Sequence, residues 1–339
     1  MRSLQALVLL GLTLGCVAHA VVLSQARLPD CDSDEAEQAA TVALYHINHN
    51  AVHGYKHALN QIDNIRVLPR RPFGELILLE LKLVETECHV VSPVPAENCT
   101  VRALQSHAVE ADCDVRMLRV QDDYKVTAVK CHSSPDSVED LAKICPDCPV
   151  LAPLSNPDIV ATAEKALADF NAGNAPVFYK LLEISRGMFV PMPHSIYTEF
   201  AIAATNCTFE QGLAHQDCYV QTGKDSSFGF CKATIYQKGK GSAPLDENDM
   251  VQCDIFEHED TAFQAHQQDH HLKENMPSPG IGRTVLDLAH SHNDTWASHE
   301  SHSAEILPAA PVVKRAVQAE VQGKIKLQVC PGRLRHFHV

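Results

Sequence analysis

Apolar and charged residues alternate in "ELILLELKLVE", residues 75–85, with isoleucine or leucine at positions 77, 79, 81 and 83. This period of two predicts a half-buried strand. Upstream, apolar residues between 40 and 47 recur at helical spacing, which predicts a helix that is capped by Ser33 or Asp34, runs to about Val52 and stops at Gly54. The strands "VRMLRV" and "YKVTAVKC" follow, separated by a turn at 122–123. This order predicts an α+β unit with one helix laid across a curved antiparallel sheet.

The cysteines indicate that this unit occurs twice. Two quartets have closely similar spacings, and each contains a cysteine within an "NCT" triplet, at 98–100 and at 206–208. The stretch "ATVALYHINHN" at 40–50 also matches "ATAEKALADFN" at 161–171, and both are apolar at helical spacing. Internal duplication accounts for all three observations. The first quartet is Cys88, Cys99, Cys113 and Cys131, and the second is Cys207, Cys218, Cys231 and Cys253.

The N-terminus indicates the compartment. Arg2 precedes a short apolar run and the small-residue sequence "CVAHA", a pattern that predicts a signal peptide cleaved after Ala20. The run is too short to span a bilayer. We therefore expect a secreted protein without membrane insertion, in which an even number of cysteines forms a disulfide framework.

The pair Cys145 and Cys148 in "CPDC" could be a redox motif, half of a zinc site or a structural loop. No second close pair exists for a zinc ribbon, and the flanking prolines disfavour a helix start. We expect a structural disulfide here. If the other cysteines pair locally as the repeat suggests, Cys31 and Cys330 remain to join the chain ends, although sequence alone does not prove connectivity.

After residue 256 the chain is polar, rich in His and Pro, and without sustained periodicity, which predicts a largely disordered tail. We therefore expect a signal peptide at 1–20, a first domain at 21–144, a disulfide linker at 145–149, a second domain at 150–256, and a tail at 257–339 that ends in a disulfide-tethered segment.

The charge balance is acidic, with 28 Lys and Arg against 42 Asp and Glu and a net charge of −14 with His neutral. Such a surface disfavours nucleic acid and suits cations, although composition alone is also explained by solubility. No nucleophile–base motif or closed metal site is evident. We expect a non-enzymatic monomer that requires no cofactor.

Several segments together resemble the fetuins, a plasma branch of the cystatin superfamily. They include "GELILLEL…ETECHV", "KCHSSPDSVEDLAKICPDCPVLAP" and the terminal "CPGRLRHF". The resemblance implies two tandem cystatin-like domains and a disulfide scheme that agrees with the pairing above. It also implies a liver-derived plasma glycoprotein that binds calcium and calcium phosphate, inhibits ectopic mineral precipitation and regulates bone mineralisation.

Calcium takes several oxygen ligands, and a crystal face repeats them, so we expect carboxylates of the first domain to bind mineral. In the family, the outer face of the first-domain strand is alternately acidic, whereas this strand has Leu78, Glu80 and Lys82. That departure weakens the expectation, and an ordinary solvated face remains the alternative. The candidate set is Glu75, Glu80, Glu85, Glu87, Asp112, Asp114, Asp122 and Asp123.

Two kinds of modification site are expected. Ser134 and Ser137 in "HSSPDSVED" resemble sites of the secretory-pathway kinase that phosphorylates Ser-x-Glu, and phosphate there would add to a calcium-seeking patch. A polar turn is the alternative for this segment. Asn98, Asn206 and Asn293 lie in glycosylation sequons.

The linker offers a second function. In one branch of the fetuins, a "CPDCP" loop presents its aspartate to the catalytic zinc of astacin-type metalloproteases, so the resemblance implies a protease contact at Asp147. A second-domain hairpin of that branch, Gln-Trp-Val-x-Gly-Pro, is missing here. Papain-type inhibition is not expected, because "RPFGELI" and "PMPHSIY" do not fit the Gln-x-Val-x-Gly hairpin.

Histidines in the tail suggest weak binding of Zn²⁺ or Cu²⁺. The candidate ligands are His270, His271, His290 and His292. "VVKR", ending at Arg315, predicts a dibasic cleavage site, and a Cys31–Cys330 bridge would keep the two fragments joined.

Overall fold

The computed structural model describes residues 26–70, 73–135, 143, 145–173, 177–214, 218–221, 226–236, 250–257, 284–285 and 330–337. Two mainly antiparallel sheets, each crossed by one long helix, form two consecutive domains. No helix within these ranges is long and apolar enough to cross a membrane.

Among the described residues, domain 1 has one long helix and a four-stranded sheet in the order β1-β2-β3-β4. Helix α1 begins after Ser33, whose hydroxyl accepts a hydrogen bond from the amide of Ala36. The helix ends at Asn50, and Gly54 then takes a left-handed φ of 70°, which glycine tolerates. The elements are α1 (Asp34–Asn50), β1 (Tyr55–Pro69), β2 (Glu75–His89), β3 (Val109–Val120) and β4 (Asp123–Pro135).

The alternation in β2 builds the core of domain 1, as the sequence predicts. Its four inward side chains are buried, and the helix faces them with alanines that allow close approach. Fully burying an aliphatic side chain of this size contributes about 1.5–3 kcal/mol. The strand contributes Ile77, Leu79, Leu81 and Leu83, and the helix contributes Ala36, Ala39, Ala40, Ala43 and Ile47.

Domain 2 repeats this plan with additions at one sheet edge. Its main strands follow the order β6-β7-β8-β9, and both β5 and β10 pair with the edge strand β6. The elements are β5 (Val150–Leu151), α2 (Pro157–Ala172), β6 (Tyr179–Val190), β7 (Ser195–Ala204), α3 (Phe209–Leu213), β8 (Ser227–Tyr236), β9 (Met250–Glu257) and β10 (Thr284–Val285).

An asparagine clamp shows the duplication in detail. The side chain of Asn48 bonds both backbone groups of His57 at 2.8 and 2.9 Å, and Asn171 does the same to Tyr179 at 2.8 and 3.0 Å. Each clamp fixes the end of the helix to the start of the first strand. The sequence match places Asn50, not Asn48, opposite Asn171, so the true alignment is shifted by two residues here.

All twelve cysteines outside residues 1–25 are paired, in the scheme expected from the repeat. The pairs are Cys31–Cys330, Cys88–Cys99, Cys113–Cys131, Cys145–Cys148, Cys207–Cys218 and Cys231–Cys253. The long-range bridge holds residues 330–337 along the edge of β1. There Gly332 N–H donates to the Ile62 carbonyl at 2.8 Å, and Arg335 N–H donates to the Asn60 carbonyl at 2.9 Å.

The two domains share an apolar contact. The face of the domain 2 sheet opposite α2 packs against the start of β1 and the end of β2. The rings of Tyr55 and Phe230 meet edge to face at 5.9 Å. The contact comprises Tyr55 and Val91 of domain 1 with Leu182, Ala201, Ala203, Phe228 and Phe230 of domain 2.

Candidate functional site

The face of the domain 1 sheet that points away from α1, here called the outer face, carries three exposed carboxylates. Glu80 on β2 lies directly opposite Asp114 on β3, and Asp112 lies two residues before Asp114. Strand geometry places the Cα atoms of Asp112 and Asp114 about 7 Å apart, and those of Glu80 and Asp114 about 5 Å apart. Like charges placed directly opposite each other destabilise a sheet. Here Asn64 Nδ2 donates a hydrogen bond to the Glu80 carboxylate at 3.2 Å, and a guanidinium nitrogen of Arg66 lies 3.9 Å from the same carboxylate.

Basic residues share the outer face. Lys82 lies opposite Asp112, and Lys130 lies opposite Asp114 on the other side. Lys82 has its Nζ 3.6 Å from a carboxylate oxygen of Asp63. Among the described residues, neither Asp112 nor Asp114 forms an ion pair within 4.0 Å, so both carboxylates are directed to solvent.

Other members of the expected mineral-binding set are dispersed. Glu75 forms ion pairs with Arg119 and Arg27 at the far end of β2. Glu87 is exposed near the other end of the same strand. Asp122 and Asp123 are exposed at the β3–β4 turn. These four acids do not join the group around Asp114.

The expectation for Glu85 is wrong. Its side chain is buried, and Arg186 of domain 2 donates from one nitrogen to both carboxylate oxygens at 2.5 and 2.6 Å. Arg102 donates from Nε to the same carboxylate at 2.7 Å. A carboxylate held by two guanidinium groups inside the protein cannot reach a mineral surface.

A second pair completes this interdomain network. Arg102 donates to both oxygens of Glu199 at 2.9 and 3.2 Å, and the hydroxyls of Tyr55 and Tyr197 donate to the same carboxylate. Burial alone would raise the pKa of Glu199, but the charges of Arg102 and Arg186 lower it to about 2. Burial and the charge of Glu199 raise the pKa of both tyrosines, so the hydroxyls remain donors.

Glu183 forms a third buried contact between the domains. Its carboxylate accepts hydrogen bonds from Gly54 N–H at 2.7 Å and from His53 Nδ1 at 2.8 Å. His89 Nε2 lies 3.2 Å from the same carboxylate. Burial opposes ionisation of Glu183, but the hydrogen bonds from His53 and His89 hold its pKa well below the usual range.

The linker loop lies between the domains and exposes Asp147. The Cys145–Cys148 disulfide closes the loop, and Cys148 N–H donates to the Cys145 carbonyl at 3.3 Å. Directly after the loop, Val150 pairs with Phe189 near the end of β6. The loop therefore lies beside the β6–β7 turn, where Met192 is 79% exposed.

Three of the predicted modification sites lie within the described residues. Asn98 and Asn206 are exposed, and Ser134 lies opposite Glu110 in the β3–β4 register. No group of three or more His, Cys, Asp or Glu within the described ranges could hold a metal ion. The remaining predicted sites lie outside these ranges, namely Ser137, Asn293, His270, His271, His290, His292 and the cleavage site at Arg315.

Comparison with known proteins decides the family. The antihemorrhagic factor cHLP-B of Gloydius brevicauda is 44% identical over 99% of both chains. The alpha-2-HS-glycoprotein of Homo sapiens is 37% identical over the full length of both. This chain belongs to the fetuin family. The cystatin domain model matches residues 148–240 of this fetuin.

The solved fetuin structures agree with this fold. The inhibitory complex of human meprin beta with mouse fetuin-B contains a chain that is 26% identical to this fetuin, with a TM-score of 0.58. The match covers 68% of this fetuin and 74% of that chain. The two helix-on-sheet units are therefore tandem cystatin-like domains, as the sequence resemblance implies.

Sequence reasoning missed the residues that join the domains of this fetuin. A usable signal was present, because Glu183 and Glu199 each lie in a mainly apolar strand sequence, and Arg186 lies three residues after Glu183 in the same strand. Charged residues at such positions are almost never fully buried unless they are paired. Their partners could not be read from the pattern, since Arg102 and Glu85 lie far away in the chain.

Proposed function

We propose that this fetuin is a secreted protein that binds calcium phosphate through the outer face of domain 1 and inhibits mineral precipitation. The observation that carries the proposal is the group of exposed carboxylates Glu80, Asp112 and Asp114 on two adjacent, rigidly paired strands. In this proposal the protein acts by adsorbing to nascent mineral, without catalysing a reaction.

Calcium chemistry explains why few carboxylates suffice. Ca²⁺ takes six to eight oxygen ligands, and an ion at a mineral surface already has most of them from phosphate and water. A protein carboxylate needs to supply only one or two further oxygens per ion. Three carboxylates held about 5–7 Å apart on a sheet can therefore contact several surface ions at once, and little conformational entropy is lost on adsorption.

The test is the time course of turbidity in supersaturated calcium phosphate with protein made through a secretory pathway. The triple variant Glu80→Gln, Asp112→Asn, Asp114→Asn should shorten the delay before precipitation to that seen with serum albumin. A matched control neutralises three exposed acids of domain 2, Asp158, Glu210 and Asp254. An equal loss in both triple variants would assign the effect to net charge and would contradict the proposal.

We propose inhibition of an astacin-type metalloprotease as a second function. The specific observation in its favour is the exposed Asp147 on a short disulfide-closed loop next to the β6–β7 turn. A carboxylate is a normal zinc ligand, and a stiff loop presents it at low entropic cost. A fetuin-B structure is described as an inhibitory complex with human meprin beta, and several relatives are named antihemorrhagic factors.

The inhibition constant for human meprin beta tests this second function. Asp147→Ala and Asp147→Asn should both lose most of the inhibition, because neither side chain supplies an anionic zinc ligand. Asp158→Asn, at an exposed position in domain 2, serves as the charge control. Full inhibition by the Asp147 variants would remove the loop from the mechanism.

A further inference from the structure

His107 connects domain 1 to the linker loop. It follows the short 3₁₀ turn Leu104–Ser106, is fully buried, and has a left-handed φ of 51°. Its Nε2 lies 2.8 Å from the carbonyl oxygen of Pro149, the residue directly after the disulfide of the loop. A residue with a side chain rarely adopts this backbone conformation, so the surrounding structure must hold it there.

The geometry fixes the protonation state of His107. A carbonyl oxygen only accepts hydrogen bonds, so Nε2 carries the proton. Nδ1 is buried and has no hydrogen-bond partner among the described residues, so a second proton there would have no acceptor. Burial lowers the pKa of His107; the hydrogen bond to the Pro149 carbonyl opposes this effect, and the positive charge of Arg186 adds to it.

Arg186 holds His107 from the domain 2 side. Its NH1 nitrogen donates to the His107 carbonyl at 3.1 Å, while its NH2 nitrogen donates to Glu85. The other side of Pro149 is fixed by β5, which pairs with β6, and by the amide of Ala152, which donates to the Gly187 carbonyl at 2.9 Å. Pro149 is thus held between a domain 1 side chain and a domain 2 strand.

We infer that His107 is a positioning residue for protease inhibition, which holds the Cys145–Cys148 loop so that Asp147 is presented in one orientation. This inference rests on the second proposed function. Without the bond to Pro149, the loop would pivot about β5, and ordering Asp147 on the enzyme would then cost conformational entropy at the moment of binding.

The experiment compares three substitutions in the full chain. His107→Ala removes the donor, and we expect inhibition of meprin beta to weaken about tenfold, the effect of losing one hydrogen bond that preorganises a contact. His107→Gln retains an N–H donor of similar reach and should recover much of the inhibition. His132→Ala, at an exposed position on β4, should inhibit like the wild type.

Amide hydrogen exchange in residues 145–150 supplies a readout that does not depend on inhibition. Exchange there should accelerate in His107→Ala and remain near the wild-type rate in His107→Gln, while both variants retain the calcium phosphate activity of domain 1. The two variants replace the same imidazole, but only His107→Gln retains an N–H donor. A difference in exchange between them therefore reports the hydrogen bond.

The outcomes are distinguishable. If Asp147→Ala abolishes inhibition but His107→Ala neither weakens it nor accelerates loop exchange, the positioning role is wrong and the second function stands. If the wild-type protein does not inhibit the protease at all, both fall. If His107→Gln is as defective as His107→Ala, packing of the imidazole and not its hydrogen bond fixes the loop, which also overturns the inference.

Discussion

Glu85 of domain 1 and Arg186 of domain 2 form an ion pair that is removed from solvent, with side chains 4% and 0% exposed. The reverse pairing, Arg102 of domain 1 with Glu199 of domain 2, lies beside it. Each domain therefore contributes one guanidinium and one carboxylate. The two ion pairs are buried only where the domains are in contact. Because both ion pairs must form together, they favour one relative orientation of the two domains.

Removing one member of the Glu85–Arg186 pair should strongly destabilise the protein. Arg186→Ala leaves Glu85 buried with half of its partners, and such a loss costs about 3–5 kcal/mol. Denaturant unfolding followed by fluorescence and circular dichroism measures this free energy.

A pair near the protein surface provides the control for this prediction. Lys82→Ala breaks the contact with Asp63, whose side chain, like that of Lys82, is about one-third exposed, and should change stability by less than about 1 kcal/mol. Similar losses for Arg186→Ala and Lys82→Ala would show that burial of the interdomain pair has no special weight.

Acid should weaken the structure in two separate windows. Burial lowers the pKa of His57 and His107 below the ordinary value of 6.5, so each takes up its proton at a lower pH in the folded protein than in the unfolded chain. As the pH falls through 6.5, the unfolded chain takes up protons that the folded chain does not, and stability declines. The pKa of Glu199 falls from 4.5 to about 2, so its contribution is present above pH 4.5 and is lost between these values.

The first window can be assigned by substitution. The double variant His57→Gln, His107→Gln should unfold with a shallower dependence on pH between 7 and 5 than the wild type, while the decline below pH 4.5 persists. Urea midpoints measured at half-unit pH intervals provide the curve. An unchanged slope between pH 7 and 5 would show that other groups cause the loss.

Residues 330–337 should stabilise domain 1 selectively. The Cys31–Cys330 bridge holds this segment against β1, and Glu37 forms ion pairs with Arg333 and Arg335 at 3.1 and 2.6 Å. The double variant Cys31→Ala, Cys330→Ala should cost about 2–4 kcal/mol of stability. Hydrogen exchange should accelerate in β1 and not in β7, and equal acceleration in both strands would contradict the local role.

The sequence predicted local structure well because local structure depends on periodic patterns. The alternation at 77–83 determined a strand, and the matching cysteine spacings determined the duplicated framework. Which sheet face meets the other domain depends on contacts between distant positions, such as Tyr55 with Glu199, 144 residues apart. For that reason the sequence places Glu85 among the mineral-binding carboxylates, although its contacts with Arg102 and with Arg186 of the second domain bury it.

Position 82 offers the sharpest test of the mineral-binding face. Lys82 lies opposite Asp112 and two residues from Glu80, where the family resemblance leads us to expect a further acid. Lys82→Glu should lengthen the delay before calcium phosphate precipitates, because it adds a carboxylate to the group formed by Glu80, Asp112 and Asp114. Lys82→Gln should have an intermediate effect, and the delay is read from turbidity at equal protein concentration. Lys125→Glu makes the same change of charge at an exposed position near the β3–β4 turn and serves as the control. Equal delays for Lys82→Glu and Lys125→Glu would mean that net charge governs adsorption, and not the spacing of carboxylates on the sheet.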